Sequence, residues 1–464
     1  MRVLLGAFGD PGHAFPMIAL GRALVAREHD VTLQTWRRWE RHVREEGMRF
    51  APAPEYTVFP SGGPGSAPLD FYEAVVHATS DTLPLVRELR PDVAVADILT
   101  LAPALAAEIA GVPRATLIPH VHPHGLRDFP IYSLGARLPR TAAGRAFWRA
   151  AHPLVERGLE RGRVELNATR ARVGLQALDY VHGGISRELA LVATFPQLEY
   201  PRPEGGDRSS ATDDGRGPRR QGPRRQGPRR QGPRGQGPRG QGPSGWGLNA
   251  HVVGPLMWEP PAREVPLPRG RAGVGAAGGR VAALAHTGAG ADAAGTDAPL
   301  VLIAPSTAQD AEHALLRAAL RGLARAPVRV LATYNRRLPQ RALRVPENAS
   351  VVDWVSYSRT MPHCDVVVCH AGHGTLVRAL SCGCAVVACP AVGDMSENAA
   401  RVDWAGAGVR VPRRFLSPRT LRLAVDRALA DPAIRTRAQD LASWARAHDA
   451  GTRAAMLVER LASQ

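Results

Sequence analysis

The chain has 464 residues, 44% of them hydrophobic and 5% aromatic, which is too long for one ordinary domain and enough for two sizeable cores. Its formal net charge is +17. Residues Gly205 to Leu248 carry ten Arg against three Asp, so +7 sits in one segment and 17 − 7 leaves +10 spread without a stripe. That pattern argues against nucleic acid as the main partner and suits attraction of an anionic diphosphate.

Met1-Arg2 leads straight into a short apolar run, so no secretory signal is expected. No apolar stretch approaches the ~18 residues of a membrane span, and the chain reads as cytoplasmic. Arg2 to Phe8 reads as a strand, followed by a Gly/Pro turn and a helical pattern from Ala14 to Arg27. Asp30 to Thr35 and Pro91 to Ala96 read as strands, Leu99 to Ala110 as a helix, and Arg114 to Ile118 as a further strand. Short continuous apolar runs alternating with helices indicate a parallel sheet covered on both faces.

From Gly205 to Gly247 the chain repeats Arg-Arg-Gln-Gly-Pro with a five-residue period, decaying to Arg-Gly-Gln-Gly-Pro. Almost no side chain there can enter a core, so the segment is expected to be disordered. It reads as a solvated linker expansion, or else as an Arg-rich partner-binding loop. Val252 to Trp258 reads as an ordered connector, and Gly270 to Ala298 as a flexible Gly/Ala-rich stretch.

The second half repeats the α/β plan. Leu300 to Ala304 is a strand, Gln309 to Arg325 a helix, and Val328 to Thr333 and Ser350 to Val355 are strands. Asp365 to Cys369, a helix from His373 and Cys384 to Cys389 form another strand-helix-strand unit. Ser417 to Leu429 and Asp440 to Leu461 read as closing helices. The fold class is therefore α/β, with two Rossmann-like doubly wound halves in tandem. Cys364, Cys369, Cys382, Cys384 and Cys389 lack paired zinc spacing and read as small buried residues of a reduced protein.

The strongest chemical signal follows strand Val366 to Cys369, in His370-Ala371-Gly372-His373-Gly374-Thr375. Glycines at a strand-to-helix turn let backbone N–H groups approach an anion, and the helix N-terminus adds positive potential. Thr375 and His370 add side-chain donors. The set suits a diphosphate, although tight packing alone can also require such a turn. It is not a P-loop, because the Gly-Lys-Ser/Thr ending is missing.

Trp354-Val355, His363-Cys364-Asp365, His370 to Thr375, and Gly393-Asp394 with Asn398 resemble the donor-binding signature of family 1 glycosyltransferases. The likeness is closest to the bacterial enzymes that decorate natural products. It implies a GT-B fold, with two Rossmann-like domains facing a central cleft. By the resemblance, residues 1–204 form an acceptor-binding domain and 299–464 a nucleotide-sugar-binding domain. The repeat insert occupies 205–248 and a connector 249–298. It further implies inverting transfer from a UDP- or dTDP-sugar to a hydroxyl of a small hydrophobic acceptor, with no cofactor and no metal.

The resemblance gives Trp354 the nucleobase to stack on, though a lone Trp also reads as a core aromatic. It gives the Val355 backbone a hydrogen bond to that base, and His370, Gly372, Gly374 and Thr375 the diphosphate. Asp394 takes donor-sugar hydroxyls with Met395 and Asn398 beside it, and Ser306 reaches a phosphate. Three positions depart from the commoner pattern. Met395 stands where many relatives have Gln, Arg378 where many have a ribose-binding Glu, and Ser356-Tyr357 where many have Pro-Gln. Loss of a ribose-binding carboxylate favours dTDP at least as much as UDP, and a deoxysugar donor is preferred.

Gly9-Asp10-Pro11-Gly12-His13 places a His at the carboxyl end of the first strand, where open α/β sheets hold active sites. Transfer to a hydroxyl needs a base with a pKa near neutrality, which His supplies. The resemblance assigns that role to His13 and pairs it with an Asp on a later strand. Asp97 is suitably placed, and reads equally as an N-cap for the helix after it. Asp10 is a weaker candidate.

Gly6-x-x-Gly9-x-x-Gly12 only faintly resembles a dinucleotide fingerprint, since its second Gly is one residue late and the second strand ends on Thr35-Trp36-Arg37. A nucleotide-sugar epimerase on the same scaffold and a non-catalytic activator homologue are the competing functions. His120, His122 and His124, without a carboxylate partner, fit an acceptor pocket better than a metal site. Residues Tyr56 to Leu69 and His120 to Leu138 are the expected acceptor loops.

Overall fold

A computed structural model describes residues 1–55, 71–123, 127–200, 249–262, 265–268, 298–306, 312–391 and 393–464. The Arg-rich repeat, nearly all of the Gly/Ala-rich stretch, the 56–69 loop, His124 and residues 309–310 lie outside them.

The first sheet has seven parallel strands: β1 (Arg2–Gly6), β2 (Asp30–Thr35), β3 (Arg49–Pro52), β4 (Val93–Asp97), β5 (Arg114–Ile118), β6 (Leu189–Val192) and β7 (Ala250–Val252). Their order is β3-β2-β1-β4-β5-β6-β7. Strand β1 runs between β2 and β4, with Val3 level with Val31 on one side and Val93 on the other. Its apolar run is buried on both faces, as a strand with helices above and below requires. Helices α1 (Pro11–Val25), α2 (Glu40–Glu45), α3 (Phe71–Leu89), α4 (Leu101–Ile109) and α5 (Ala142–Arg172) belong to this half.

The second sheet has six parallel strands, β8 (Leu300–Ala304), β9 (Arg329–Thr333), β10 (Ala349–Val352), β11 (Val366–Cys369), β12 (Ala385–Ala388) and β13 (Gly408–Arg410), ordered β10-β9-β8-β11-β12-β13. Helices α6 (Ala314–Leu323), α7 (Tyr357–Thr360), α8 (His373–Ser381), α9 (Asp394–Ala405), α10 (Pro418–Ala430) and α11 (Pro432–Ala447) follow its strands. The architecture is the expected α/β pair of doubly wound sheets. In each, the strand order reverses direction at one place: between β1 and β4, and between β8 and β11. A crevice opens there at the carboxyl ends of the strands.

Two features cross the expected division of the chain. Strand β7, at the start of the connector, completes the first sheet beside β6. The final segment, read as continuous from Asp440, breaks at His448-Asp449, where Asp449 accepts the Thr452 N–H at 3.1 Å and caps helix α12 (Ala450–Ala462). That helix leaves the second domain and buries Ala454, Val458 and Leu461 in one cluster with Leu5, Met17 and Leu24. Its outer face adds Glu459, which accepts from Arg27 Nε at 2.6 Å. Helix α12, inside the expected 299–464 segment, thus packs on α1, where its apolar stripe finds its partner.

Leu461→Ala removes a side chain only 6% exposed in that shared cluster. It should cost about 2–3 kcal/mol of unfolding stability, measured by chemical denaturation. An unchanged denaturation midpoint would contradict the docking of α12.

Candidate active site

Helix α1 begins at Pro11, earlier than the sequence pattern indicated, so His13 lies in its first turn. Gly9 precedes it in a loop pressed against Trp36. A Cβ at Gly9 would come within 2.0 Å of the indole, so only glycine fits. The Gly9 carbonyl accepts the Trp39 indole N–H at 2.7 Å, which fixes the loop from below. This glycine serves packing within the protein rather than close approach of a dinucleotide.

His13 Nδ1 lies 2.7 Å from Asp97 Oδ1. The Asp97 side chain is wholly buried and His13 keeps 17% exposure. Asp97 Oδ2 also accepts the Phe8 N–H at 3.2 Å and the Thr100 hydroxyl at 3.3 Å. Helix α4 starts at Leu101 with Thr100 as its N-cap residue, so the Asp97 carboxylate does not cap it. Burial alone would push the His13 pKa down. The charge and hydrogen bond of Asp97 outweigh burial, with smaller help from Asp10 and Asp394, and hold it above the ordinary 6.5. Asp10 is directed to Arg38 at 3.4 Å instead.

Across the cleft, β11 pairs with β8 so that Cys369 is level with Ala304. His370 therefore emerges beside the β8 loop, its Nδ1 3.4 Å from the Ala304 carbonyl oxygen, with buried Ser306 in the same loop. Ala371 adopts φ +62° and turns the chain into α8. A Cβ on Gly372 would meet His370 Nε2 at 2.3 Å, so this glycine admits the imidazole against the turn. No side chain caps α8. Its first-turn N–H groups have no intrahelical partner, and Gly374 beside them is exposed and Thr375 half-buried.

Strand β10 stops at Val352, short of the expected Val355, because the Trp354 N–H turns to Asp353 Oδ1 at 2.9 Å. Trp354 thus sits in the loop beyond the strand. It stacks on Tyr357 at 6.4 Å with planes 17° apart, and the Arg336 guanidinium lies 4.5 Å from its ring centre. Val355 is buried. The Tyr357 hydroxyl reaches Asn335 Oδ1 at 3.4 Å.

Gly393, at φ +61°, leads into α9, whose first residue is Asp394. Asn398 Nδ2–H groups donate to the Ala371 carbonyl at 3.1 Å and to Asp394 Oδ2 at 3.3 Å. Met395 packs half-buried against the second core. The Asp394 carboxylate favours the protonated rings of both His13 and His120.

Sequence reasoning gave His120 an acceptor-pocket role and gave His373 and Glu259 none. His120 Nδ1 donates to the Val121 carbonyl at 2.7 Å and lies 3.3 Å from the Tyr132 hydroxyl, and burial pushes its pKa down. His373 Nε2 reaches the Ala193 carbonyl oxygen at 3.2 Å across the domains, and burial takes its pKa to about 3. Glu259 binds the Ser356 hydroxyl at 2.6 Å. Among the described residues no group of three or more His, Cys, Asp or Glu could hold a metal ion, and no helix is long and apolar enough to cross a membrane. The five cysteines are free thiols, with Cys369 pushed up to about 12 by burial. An apolar pocket beside the His13 loop is lined by Phe8, Trp36, Pro54, Thr82 and Pro103.

Comparison with known proteins bears on this arrangement. Residues 317–461 match the family described as Erythromycin biosynthesis protein CIII-like, C-terminal domain. The chain is 27% identical to the 4'-demethylrebeccamycin synthase of Lentzea aerocolonigenes over 99% of both chains. The whole fold superposes on the glycotransferase of kitacinnamycin, with TM-score 0.66, 20% identity and coverage of 99% of this chain and 98% of that one. The chain has the two-domain GT-B fold, and it resembles glycosyltransferases of bacterial natural products. The glycosyltransferase VinC, solved in complex with dTDP, also superposes, with TM-score 0.62, 16% identity and 100% of both chains covered.

The His13 imidazole should titrate above 6.5. Asp97→Asn removes the anion that favours the protonated ring and leaves burial in command, so His13 should then titrate lower. NMR titration of the His13 ring resonances reads this directly. Equal midpoints in the two proteins would show that Asp97 does not set the His13 charge.

Proposed function

We propose that the chain transfers a sugar, with a deoxysugar preferred, from a dTDP- or UDP-sugar to a hydroxyl of a small, largely apolar acceptor, in one inverting displacement. The observation that carries this reading is the buried Asp97 bonded to His13 at the cleft that Asp394 also faces. The pair supplies a base in one domain opposite an anion cradle in the other.

His13 takes the proton of the acceptor hydroxyl as the oxygen attacks the anomeric carbon. Asp97 holds Nδ1 and stabilises the imidazolium that forms, leaving Nε2 for the proton. The bond from the anomeric carbon to the diphosphate breaks as the new bond forms on the opposite face, which inverts the configuration. The departing negative charge falls on the open N–H groups of α8, Thr375 and His370. Those groups take the neutralising role that a metal ion plays elsewhere, so turnover should survive a chelator. Trp354 takes the nucleobase on its ring, and Asp394 accepts from donor-sugar hydroxyls. The pocket beside Phe8 and Trp36 takes apolar acceptor surface. That VinC was solved in complex with dTDP supports a nucleoside diphosphate as the ligand.

Thermal-shift screening against dTDP, UDP and GDP should identify a stabilising nucleotide. His13→Ala should then reduce turnover by about 10²-fold or more while the nucleotide-induced shift persists. His370→Ala should have the opposite signature, with a diminished shift. Full turnover in His13→Ala would remove the base assignment.

A further inference from the structure

The connector between the domains places two adjacent residues in opposite halves of the molecule. Trp258 enters the first domain, where its Nε1–H donates to Glu46 Oε1 at 2.6 Å and its ring meets Phe15 edge-on at 5.1 Å. Phe15 lies two residues after His13 on α1. Glu259 turns to the second domain. Its Oε1 accepts the Ser356 hydroxyl at 2.6 Å and the Ser358 N–H at 3.0 Å, and its Oε2 accepts the Tyr357 N–H at 3.2 Å. The Ser358 hydroxyl donates to the same Oε1.

These bonds fix both ends of a short chain of contacts. Tyr357 stacks on Trp354 through its ring, and the Thr375 side chain also acts on its hydroxyl. One side chain thus meets the residue proposed for the nucleobase and responds to one proposed for the diphosphate. Glu259 governs the backbone at that side chain with four hydrogen bonds, two from main-chain N–H groups and two from the neighbouring Ser hydroxyls. Each is charge-assisted and therefore stronger than a neutral bond. Glu259 also acts on Arg378 of α8: burial disfavours that guanidinium's charge and the Glu259 carboxylate opposes the effect.

We propose that Glu259 is a donor-positioning residue, which holds Tyr357, and through it Trp354 and Thr375, in register for the nucleoside diphosphate. The proposal rests on the nucleotide-sugar reading above. Because Trp258 beside it is locked onto α1, the same two-residue clasp ties the donor loop to the helix that carries His13. Glu259→Gln keeps the size of the side chain and one acceptor, but it presents an NH2 where the Tyr357 N–H needs an oxygen. The loop then loses its charge-assisted bonds, and Arg378 loses its nearest compensating anion.

The test titrates dTDP and UDP onto the wild type, Glu259→Gln and Glu259→Ala by calorimetry, with steady-state kinetics alongside. For Glu259→Gln we expect the nucleotide dissociation constant and donor KM to rise about tenfold, the scale of one lost charged hydrogen bond. The acceptor KM and kcat at saturating donor should change by less than about threefold on the same scale. A purely structural role would instead lower the melting temperature of the nucleotide-free protein and disturb both KM values alike, and that result overturns the proposal. Unchanged nucleotide affinity in both variants overturns it as well, while leaving the functional reading intact. A wild type that binds neither dTDP nor UDP defeats the functional reading itself, and this proposal with it.

Discussion

Every strand pair in the two sheets is parallel, and this constraint decides where chemistry can occur. A parallel strand covered on both faces must be apolar along its length, so polar groups survive only where the chain leaves the sheet. All strands of one sheet leave on the same edge. At the β1/β4 and β8/β11 reversals the crossovers go to opposite faces, and the edge is left open. His13 and Asp97 follow β1 and end β4, while Ser306 and His370 follow β8 and β11. Asp97 is the costliest residue in this plan, a fully buried carboxylate. Its two oxygens are met by the His13 ring, the Phe8 N–H and the Thr100 hydroxyl, without which burial would penalise its charge severely.

The two edges act together only if the domains keep their relation, and several contacts hold it. Helix α12 returns to α1, while α9 is gripped from the first domain. Buried Arg401 donates to Glu397 Oε1 at 2.7 Å on its own helix and to the Leu198 carbonyl at 3.1 Å on the other domain. Its guanidinium also lies 3.5 Å from the centre of the Tyr200 ring. Such a buried charged network adds little net stability, but breaking one partner is expensive, so it specifies one geometry. Asp394 sits two turns before Arg401 on the same helix, and the grip on α9 is what brings its carboxylate within range of His13.

Much of this was legible in the sequence, for a reason. Continuous apolar runs mark buried parallel strands directly, so β1, β2, β4, β5, β8, β9 and β11 stand out. The Gly-rich turn after β11 and the Gly-flanked His13 also announce themselves, because backbone approach and strand ends leave local marks. The long α5 does not. Most of it is solvated, and only Leu166, Thr169 and Arg170 are buried, so it has no apolar stripe to read. Arg170 enters the core because Glu108, 62 positions earlier, accepts from Nη1 at 2.8 Å. Glu259 and His373 were invisible for the same reason. Their partners lie 97 to 180 positions away, and no local pattern encodes such a contact.

The donor turn shows how a strained conformation is supported. Ala371 at φ +62° carries a Cβ in the left-handed region, at a cost of about 1–2 kcal/mol. The conformation persists because its neighbours hold it. The Ala371 carbonyl accepts from Asn398 Nδ2, and the Ala371 side chain is itself fully buried in the second core. Asn398 is only 1% exposed, and the same amide nitrogen donates to Asp394 Oδ2, so both of its hydrogens are directed at protein acceptors. Its geometry makes it a brace between the turn and α9. Met395, turned half into the core beside it, leaves Asp394 as the polar group that α9 presents to the cleft. The turn, the brace and Asp394 therefore form one rigid unit. A change at Asn398 would move the turn after β11 and the Asp394 carboxylate together, because the one amide nitrogen is bonded to both.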